Sequence, residues 1–405
     1  MNKIVPGSPA FAKALTCLFA GGFVSFSILY STQPLLPLFS HEFHVKPVTA
    51  SLSVSLSTGM LAVFMLLAAS LSDSWGRKKM MNLSLLCSSV LALLLPFLPN
   101  FTLLLIFRAL TGAALAGLPS IAMTYINEEF HPQSLGRVMG IYIAGTSIGG
   151  MSGRIAVGIL SDLFSWQTAL TCMGLFNLLL SCWFWKHLPE SAHFHPKRLK
   201  LRSLFFSLVN CLKNPGLLLL YGISFALMGS FVSLYNYIGY DLMASPYHLS
   251  SFAVSLIFIV YLTGTFSSAW MGRLADKWGQ AKVLGFGIFL MLISDGLSLY
   301  PHLISKIIAV AIFTFGFFGS HSVASGGVGK LAAASKAQAS SLYLFFYYTG
   351  SSLAGSAGGW FWSRFGWFGV TEMIGCLLLV SLGLVFLLFL LREKPKPGRS
   401  FYKSH

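Results

Sequence analysis

LSDSWGRKK (71–79) is a charged break between two long apolar runs. GRLADKWGQAK (272–282), also set between apolar runs, says nearly the same thing again. Leu71, Asp73, Trp75 and Gly76 fall on Leu274, Asp276, Trp278 and Gly279, all at an offset of 203 residues. Two copies of one loop imply two copies of one half-protein.

The rest of the composition says where those halves reside. With 55% hydrophobic and 9% charged residues and a mean hydropathy of +0.75, the chain could not cover a globular core with polar surface. It reads as a polytopic membrane protein. Water is absent from the bilayer core, so each backbone group needs an internal partner, and apolar runs of about 20 residues meet that need as helices. The expected fold is all-α with twelve transmembrane helices, at 12–38, 49–71, 80–98, 101–127, 135–160, 166–186, 215–240, 249–271, 283–300, 304–327, 337–361 and 367–391. They divide into a first six-helix bundle (1–186), a linker (187–214), a second six-helix bundle (215–391) and a basic tail (392–405), with the bundles related by a pseudo-two-fold axis.

A net charge of +16 would suit nucleic acid, but the basic residues sit in short loops and form no basic domain. Topology explains them better. Of the 27 Lys and Arg, only Lys46, Lys306 and Arg364 fall in loops on one side, and Arg108 and Arg154 fall inside spans. All others gather on the opposite side, which by the positive-inside rule is cytoplasmic and carries both termini. The expected setting is a bacterial inner membrane. Lys3 and Lys13 precede an apolar run with no small-residue cleavage signal, which reads as a retained first span. The six cysteines lie in or beside apolar runs without CxxC spacing and read as packing residues, and His193 and His195 read as surface residues, so no metal is expected. There is no GxxxxGK[ST] motif and no catalytic constellation, which points to a non-enzyme without cofactor, driven by an ion gradient.

Duplication extends past the loops. Ser25, Phe26, Leu29 and Tyr30 match Ser230, Phe231, Leu234 and Tyr235 at an offset of 205, and Gly145, Ser147, Gly150 and Gly153 match Gly350, Ser352, Gly355 and Gly358 at the same offset. Two parallel repeats are the plan of one large class of secondary transporters. In the linker, Leu201, Leu204, Phe205, Leu208 and Leu212 recur at helical spacing beside basic residues, which suggests an amphipathic helix on the cytoplasmic face.

On these residues the sequence resembles the major facilitator superfamily over essentially its whole length. The family pattern G-x-L-A-D-R-x-G-R-K is met by Leu71, Asp73, Gly76, Arg77 and Lys78, and in the second copy by Gly272, Leu274, Ala275, Asp276 and Gly279, with Gln280 and Ala281 in place of the basic pair. Arg108 and Gly112 match the fourth-helix pattern R-x-x-Q-G, with Thr111 where Gln is usual. GTSIGGMSGR (145–154), YNYIGY (235–240), HSVAS (321–325) and QASSLYLF (338–345) look like a bacterial efflux branch, the acriflavine-resistance or arabinose-efflux type. The Gly-Pro pair usual in the antiporter version of the fifth helix is absent.

The resemblance implies roles. Asp73, Gly76, Arg77 and Lys78 would form a conformational latch, with Glu128 or Glu129 as acidic partner and Asp276 and Gly279 as its echo. A cation near mid-bilayer costs several kcal/mol unless it faces a partner or a wet cavity, which nominates Arg108 for proton coupling or for an anionic substrate, against a pairing with backbone carbonyls. By family geometry helices one, four, seven and ten line the cavity, nominating Tyr30, Gln33, Arg108, Thr111, Tyr235, Asn236, Tyr237 and His321 as substrate-binding, with Tyr343 and Tyr347 of the eleventh as aromatic walls. His321 changes charge near neutral pH and is the second coupling candidate. Gly145, Gly149, Gly150 and Gly153 read as helix packing, together with Arg154. The implied activity is proton-coupled export of a small organic compound (drug, sugar or metabolite) by a monomer whose partners are lipid, substrate and protons. Proton-driven uptake of a polar solute, and a transporter-like receptor without flux, are the alternatives.

Overall fold

The computed structural model describes residues 3–194, 196, 201–332 and 335–393. The linker residues His195, Lys197, Arg198 and Lys200, and the tail from residue 394, lie outside the described residues.

Among the described residues eleven helices are long and apolar enough to cross a membrane, and the last, Lys336–Leu391, is two spans in one. Gly366, at φ 60° and ψ −146°, breaks its helical geometry. At that bend Trp367 Nε1 donates to Ser298 O at 3.1 Å, at the end of the ninth span (Gln280–Leu297). Further on, Leu384 lies against Gly222 and Val385 against Gly285, near the beginnings of the seventh (Pro215–Met243) and ninth spans. The chain has therefore turned round, and twelve passes result. A left-handed φ costs glycine little, so one residue suffices for the reversal. The sequence reading had placed a short loop there.

Three spans are interrupted. The first ends its helix at Leu29, passes through a 3-10 turn at Gln33–Leu35 and resumes as Leu36–Glu42. The fourth breaks between Leu115 and Pro119. The eighth begins as Ser251–Ser255, tightens to 3-10 over Leu256–Val260, and continues as Tyr261–Trp278. Each break frees backbone groups that must find partners elsewhere.

The bundles are held by glycine. A methyl on Gly145 or Gly149 would lie 2.3 Å from the carbonyl oxygens of Phe19 and Phe23, so the fifth span (Pro132–Leu163) rests directly on the backbone of the first. Gly350 repeats this in the second bundle, 2.2 Å from Phe225 O, which makes the duplicated glycine block a duplicated helix contact. Gly153 faces Ser27, whereas Gly150 meets only side chains, those of Arg154 and Phe26. Large apolar side chains such as Leu67, Phe97, Phe164 and Phe386 are more than half exposed, as lipid-facing residues are. Cys17 and Cys211 are buried, while Cys87, Cys172, Cys182 and Cys376 are exposed and so are not core packing residues.

At the end carrying the termini, Ile4 is paired to the loop after the fourth span, through Glu129 O at 2.8 Å and the His131 N–H at 3.1 Å. The linker helix Leu201–Leu212 forms at its expected place and rests on the seventh span and on the long helix Lys336–Glu393, with Cys211 inward and Phe205 and Phe206 outward.

Candidate functional site

The broken first span organises the interior. Its helix ends at Leu29, and the Arg108 guanidinium, 1% exposed, donates to Ile28 O, which also accepts from the Ser31 hydroxyl, at 3.0 Å, to Leu29 O at 2.5 Å and to Ser53 O of the second span at 2.6 Å. A cation at the carbonyl end of a helix meets the negative pole of its dipole. Arg108 thus takes the backbone-carbonyl arrangement. It borders a small cavity shared with Ile28, Ser31, Asn177 and apolar neighbours, inside the first bundle. Thr111 gives its hydroxyl to Phe107 O one turn back, at 2.7 Å.

Beyond that break lies Arg154, 3% exposed. Its Nε donates to Gln33 Oε1 and its Nη1 to Gly150 O, each at 2.6 Å. The guanidinium lies over the rings of Tyr30 at 4.2 Å and of Phe258 and Tyr261 at 5.2 Å. Gln33 in turn donates to Asn236 Oδ1 at 2.8 Å, and Asn236 reaches Gly355 O at 3.3 Å. One polar chain therefore crosses from the first bundle to the second.

From Tyr261 a run of rings continues through Phe231 and Phe317, whose centroids are 3.8 Å apart, to His321, Tyr343 and Tyr347. Tyr343 Oη and His321 Nδ1 are 2.9 Å apart. Tyr235 joins this group, stacked on Phe258 and bonded to Thr314. Tyr237 belongs to helix packing instead, bonded to Gly355 O at 2.8 Å and pressed against Gly358 and Gly359. Of the nominated residues the fold thus gathers Tyr30, Gln33, Asn236, Tyr235, His321, Tyr343 and Tyr347, and leaves Arg108, Thr111 and Tyr237 in the helix contacts. Sequence reasoning missed Phe231, Phe258, Tyr261, Thr314 and Phe317. The first copy of the duplicated Phe-x-x-x-Tyr pair supplies Tyr30 and the second supplies Phe231, so the repeat itself was the available signal.

Further cross-bundle contacts lie toward the end opposite the termini. Tyr240 Oη bonds Leu36 O and Ser40 Oγ, both at 2.7 Å, and Ser352 Oγ donates to Ser55 O at 2.7 Å. Val48 is set against Gly359, and Gly158 against Ser255. Lys306, read as a loop residue, is 3% exposed there and pairs with Asp241 at 2.5 Å.

At the terminal end the ion pairs stay within one bundle. Gly76 and Gly279 occupy the same backbone state, φ 103° and 88°, which lets the helix after each loop begin at the next residue. Arg77 forms a two-point contact with Glu128, at 2.8 and 3.1 Å, and bonds Asp73 and Ser72, each at 2.6 Å. Glu128 rather than Glu129 is the partner. Glu129, 1% exposed, accepts from His193 N–H at 2.9 Å and contacts its ring at 3.0 Å, while Lys78 pairs with Glu190 at 2.7 Å. The echo is looser, with Asp276 paired to Lys330 at 3.4 Å.

The comparisons agree with this architecture. The description Major Facilitator Superfamily matches residues 18–268 and 217–404. The MFS-type transporter YybF of Bacillus subtilis (strain 168) is 50% identical over 384 residues, covering 95% of each chain. The inner membrane transport protein YnfM of Escherichia coli (strain K12) is 44% identical over 376 residues, 93% of this chain and 90% of that one. Among solved structures, a bacterial homologue of the human lysosomal transporter Spinster, inward-facing and occupied, aligns with a TM-score of 0.76 over 97% of this chain and 100% of that one, at 14% identity. The nucleoside transporter NupG, as a mutant, aligns with a TM-score of 0.75 over 93% and 99%, at 16% identity. The chain is a multi-pass membrane transporter, not an enzyme, and it belongs to the major facilitator superfamily.

Proposed function

We propose that this transporter is a proton-coupled exporter of a small organic compound, working by alternating access across a bacterial inner membrane, and that its structure is the state closed to the outside. The observation that carries this reading is the uneven distribution of cross-bundle contacts. Gln33–Asn236, Tyr240–Leu36 and Ser352–Ser55 join the bundles away from the termini, while Arg77–Glu128 and Lys330–Asp276 each stay within one bundle at the terminal end. With the termini in the cytoplasm, as the positive charges imply, the site between the bundles is reached from inside. In this state an exporter takes up its cargo. On opening outward, the Asp73–Arg77–Glu128 cluster regroups as the latch between the bundles.

Closure at Gln33 and Asn236 is directly testable. In a background with the six native cysteines replaced by alanine, Gln33→Cys with Asn236→Cys joined by a short thiol cross-linker is expected to stop transport, and reduction to restore it when the linker is cleavable. Full transport in the cross-linked protein would exclude an outward opening at this point.

The proton is assigned to His321, an imidazole between the rings of the second bundle whose Nδ1 lies 2.9 Å from the Tyr343 hydroxyl. Everted vesicles carrying the protein, energised by respiration, should accumulate compounds from a labelled panel of drugs, sugars and metabolites, and nigericin should abolish that accumulation. His321→Gln is expected to flatten the pH dependence of flux. An unchanged pH profile removes His321 as the proton site, and accumulation insensitive to nigericin removes proton coupling.

A further inference from the structure

We infer that Arg154 is the anchor of an anion site and that the exported compound carries a carboxylate. The inference rests on the transporter reading above and narrows it to one cargo class.

The first ground is charge. All eleven acidic residues of the chain fall in loops or within two turns of a span's end, so none stands at the middle of a span. Among the described residues no carboxylate pairs with Arg154; its hydrogen bonds go to the neutral oxygens of Gln33 and Gly150. A buried guanidinium without a counter-charge is costly, and it persists where function requires it. Packing does not require it. At the offset of 205 the position of Arg154 falls on Gly359, which brings its helix against Val48 with no side chain at all.

The second ground is geometry. A guanidinium has five N–H groups. Arg108 directs all three of its nitrogens to carbonyls, so that arginine is a clamp. Arg154 directs only Nε and Nη1 to oxygens, which leaves three N–H groups open, including both on Nη2. Two parallel N–H groups are what a carboxylate binds best. The hydroxyl of Tyr261, on one of the three rings over the guanidinium, is buried without a partner among the described residues and supplies a further donor. The group stands between the bundles, with Tyr30 from the first and Phe258 and Tyr261 from the second. The rings of Tyr261, Phe231 and Phe317 continue from it to His321, offering an apolar bed for the body of such a molecule. A cationic drug would meet the repulsion of the Arg154 guanidinium there.

The test is binding to purified protein in nanodiscs, with no gradient and no flux. Benzoate, acetate and lactate are compared with their neutral amides by thermal shift and by titration. At least one carboxylate is expected to stabilise the protein saturably and to bind about tenfold or more tightly than its amide, as charge-assisted hydrogen bonds imply. Arg154→Gln should remove that preference, Arg154→Lys should retain part of it, and Tyr261→Phe should weaken carboxylate binding without altering the unliganded melting temperature. If Arg154→Gln does not fold, the lysine and phenylalanine variants carry the test. Equal binding of acid and amide, no binding of any of the three acids, or an unaltered preference in the variants each overturns the inference. Carboxylate binding without proton-driven movement would instead overturn the exporter reading and leave the anion site standing.

Discussion

Arg108→Ala is expected to abolish flux and to lower the melting temperature of the purified protein by many degrees. The substitution strips the guanidinium's donors from Leu29 O, from Ile28 O, which keeps the Ser31 hydroxyl, and from Ser53 O, which keeps the Thr32 hydroxyl, and it opens a void beside an existing cavity. Leaving Leu29 O unpaired costs roughly 1–3 kcal/mol, and losing a large buried side chain to a void adds about 2–5 kcal/mol, so the total is on the order of several kcal/mol. The loss falls on the break in the first span, and with it on the position of Tyr30 and Gln33. Arg108→Lys, with one point charge in place of a planar fork, should recover stability partly and flux poorly. Thermal unfolding of both variants beside labelled-substrate flux checks this, and an alanine variant with the stability of the parent would refute the clamp.

Gly112→Ala is expected to be worse than its single methyl suggests. A Cβ there would lie 2.0 Å from Ser57 O, an atom of the second span's backbone that cannot rotate away. Ser57 itself donates to Arg108 O at 2.7 Å, so the methyl forces apart two spans that are also hydrogen-bonded. Overpacking costs about 1–3 kcal/mol even where side chains yield, and here backbone must move. The expected result is little folded protein in the membrane, measured as the monodisperse fraction after extraction. Gly140→Ala, with open space around it, is the control and should express as the parent does. Equal yields from the two would remove the close contact.

What could be read from the sequence follows from the scale of each signal. Span number and the duplication rest on hydropathy and repeated motifs, which survive in one dimension. The break between the last two spans is legible at 362–366, beside Arg364, but that a single glycine makes the turn inside one continuous helix is not. The two interior arginines look alike in sequence. Only the break after Leu29 shows that one binds helix ends, while the rings of Phe258 and Tyr261, a hundred residues away in the chain, mark the other. Glu128 and Glu129 are adjacent, yet they face different partners because successive helical residues point about 100° apart.

The linker is moored to the first bundle at Pro189 by Tyr125, at Glu190 by Lys78 and at His193 by Glu129, while its helix from Leu201 onward leans on the second bundle. Eight peptide steps separate His193 from Leu201, a contour of roughly 30 Å at most. The moorings therefore act as a mechanical stop on how far the terminal ends of the bundles can part. With His193 tied to Glu129 by two bonds, the leash is counted from residue 193, so on the transporter reading a buried carboxylate of one bundle limits how far both can part.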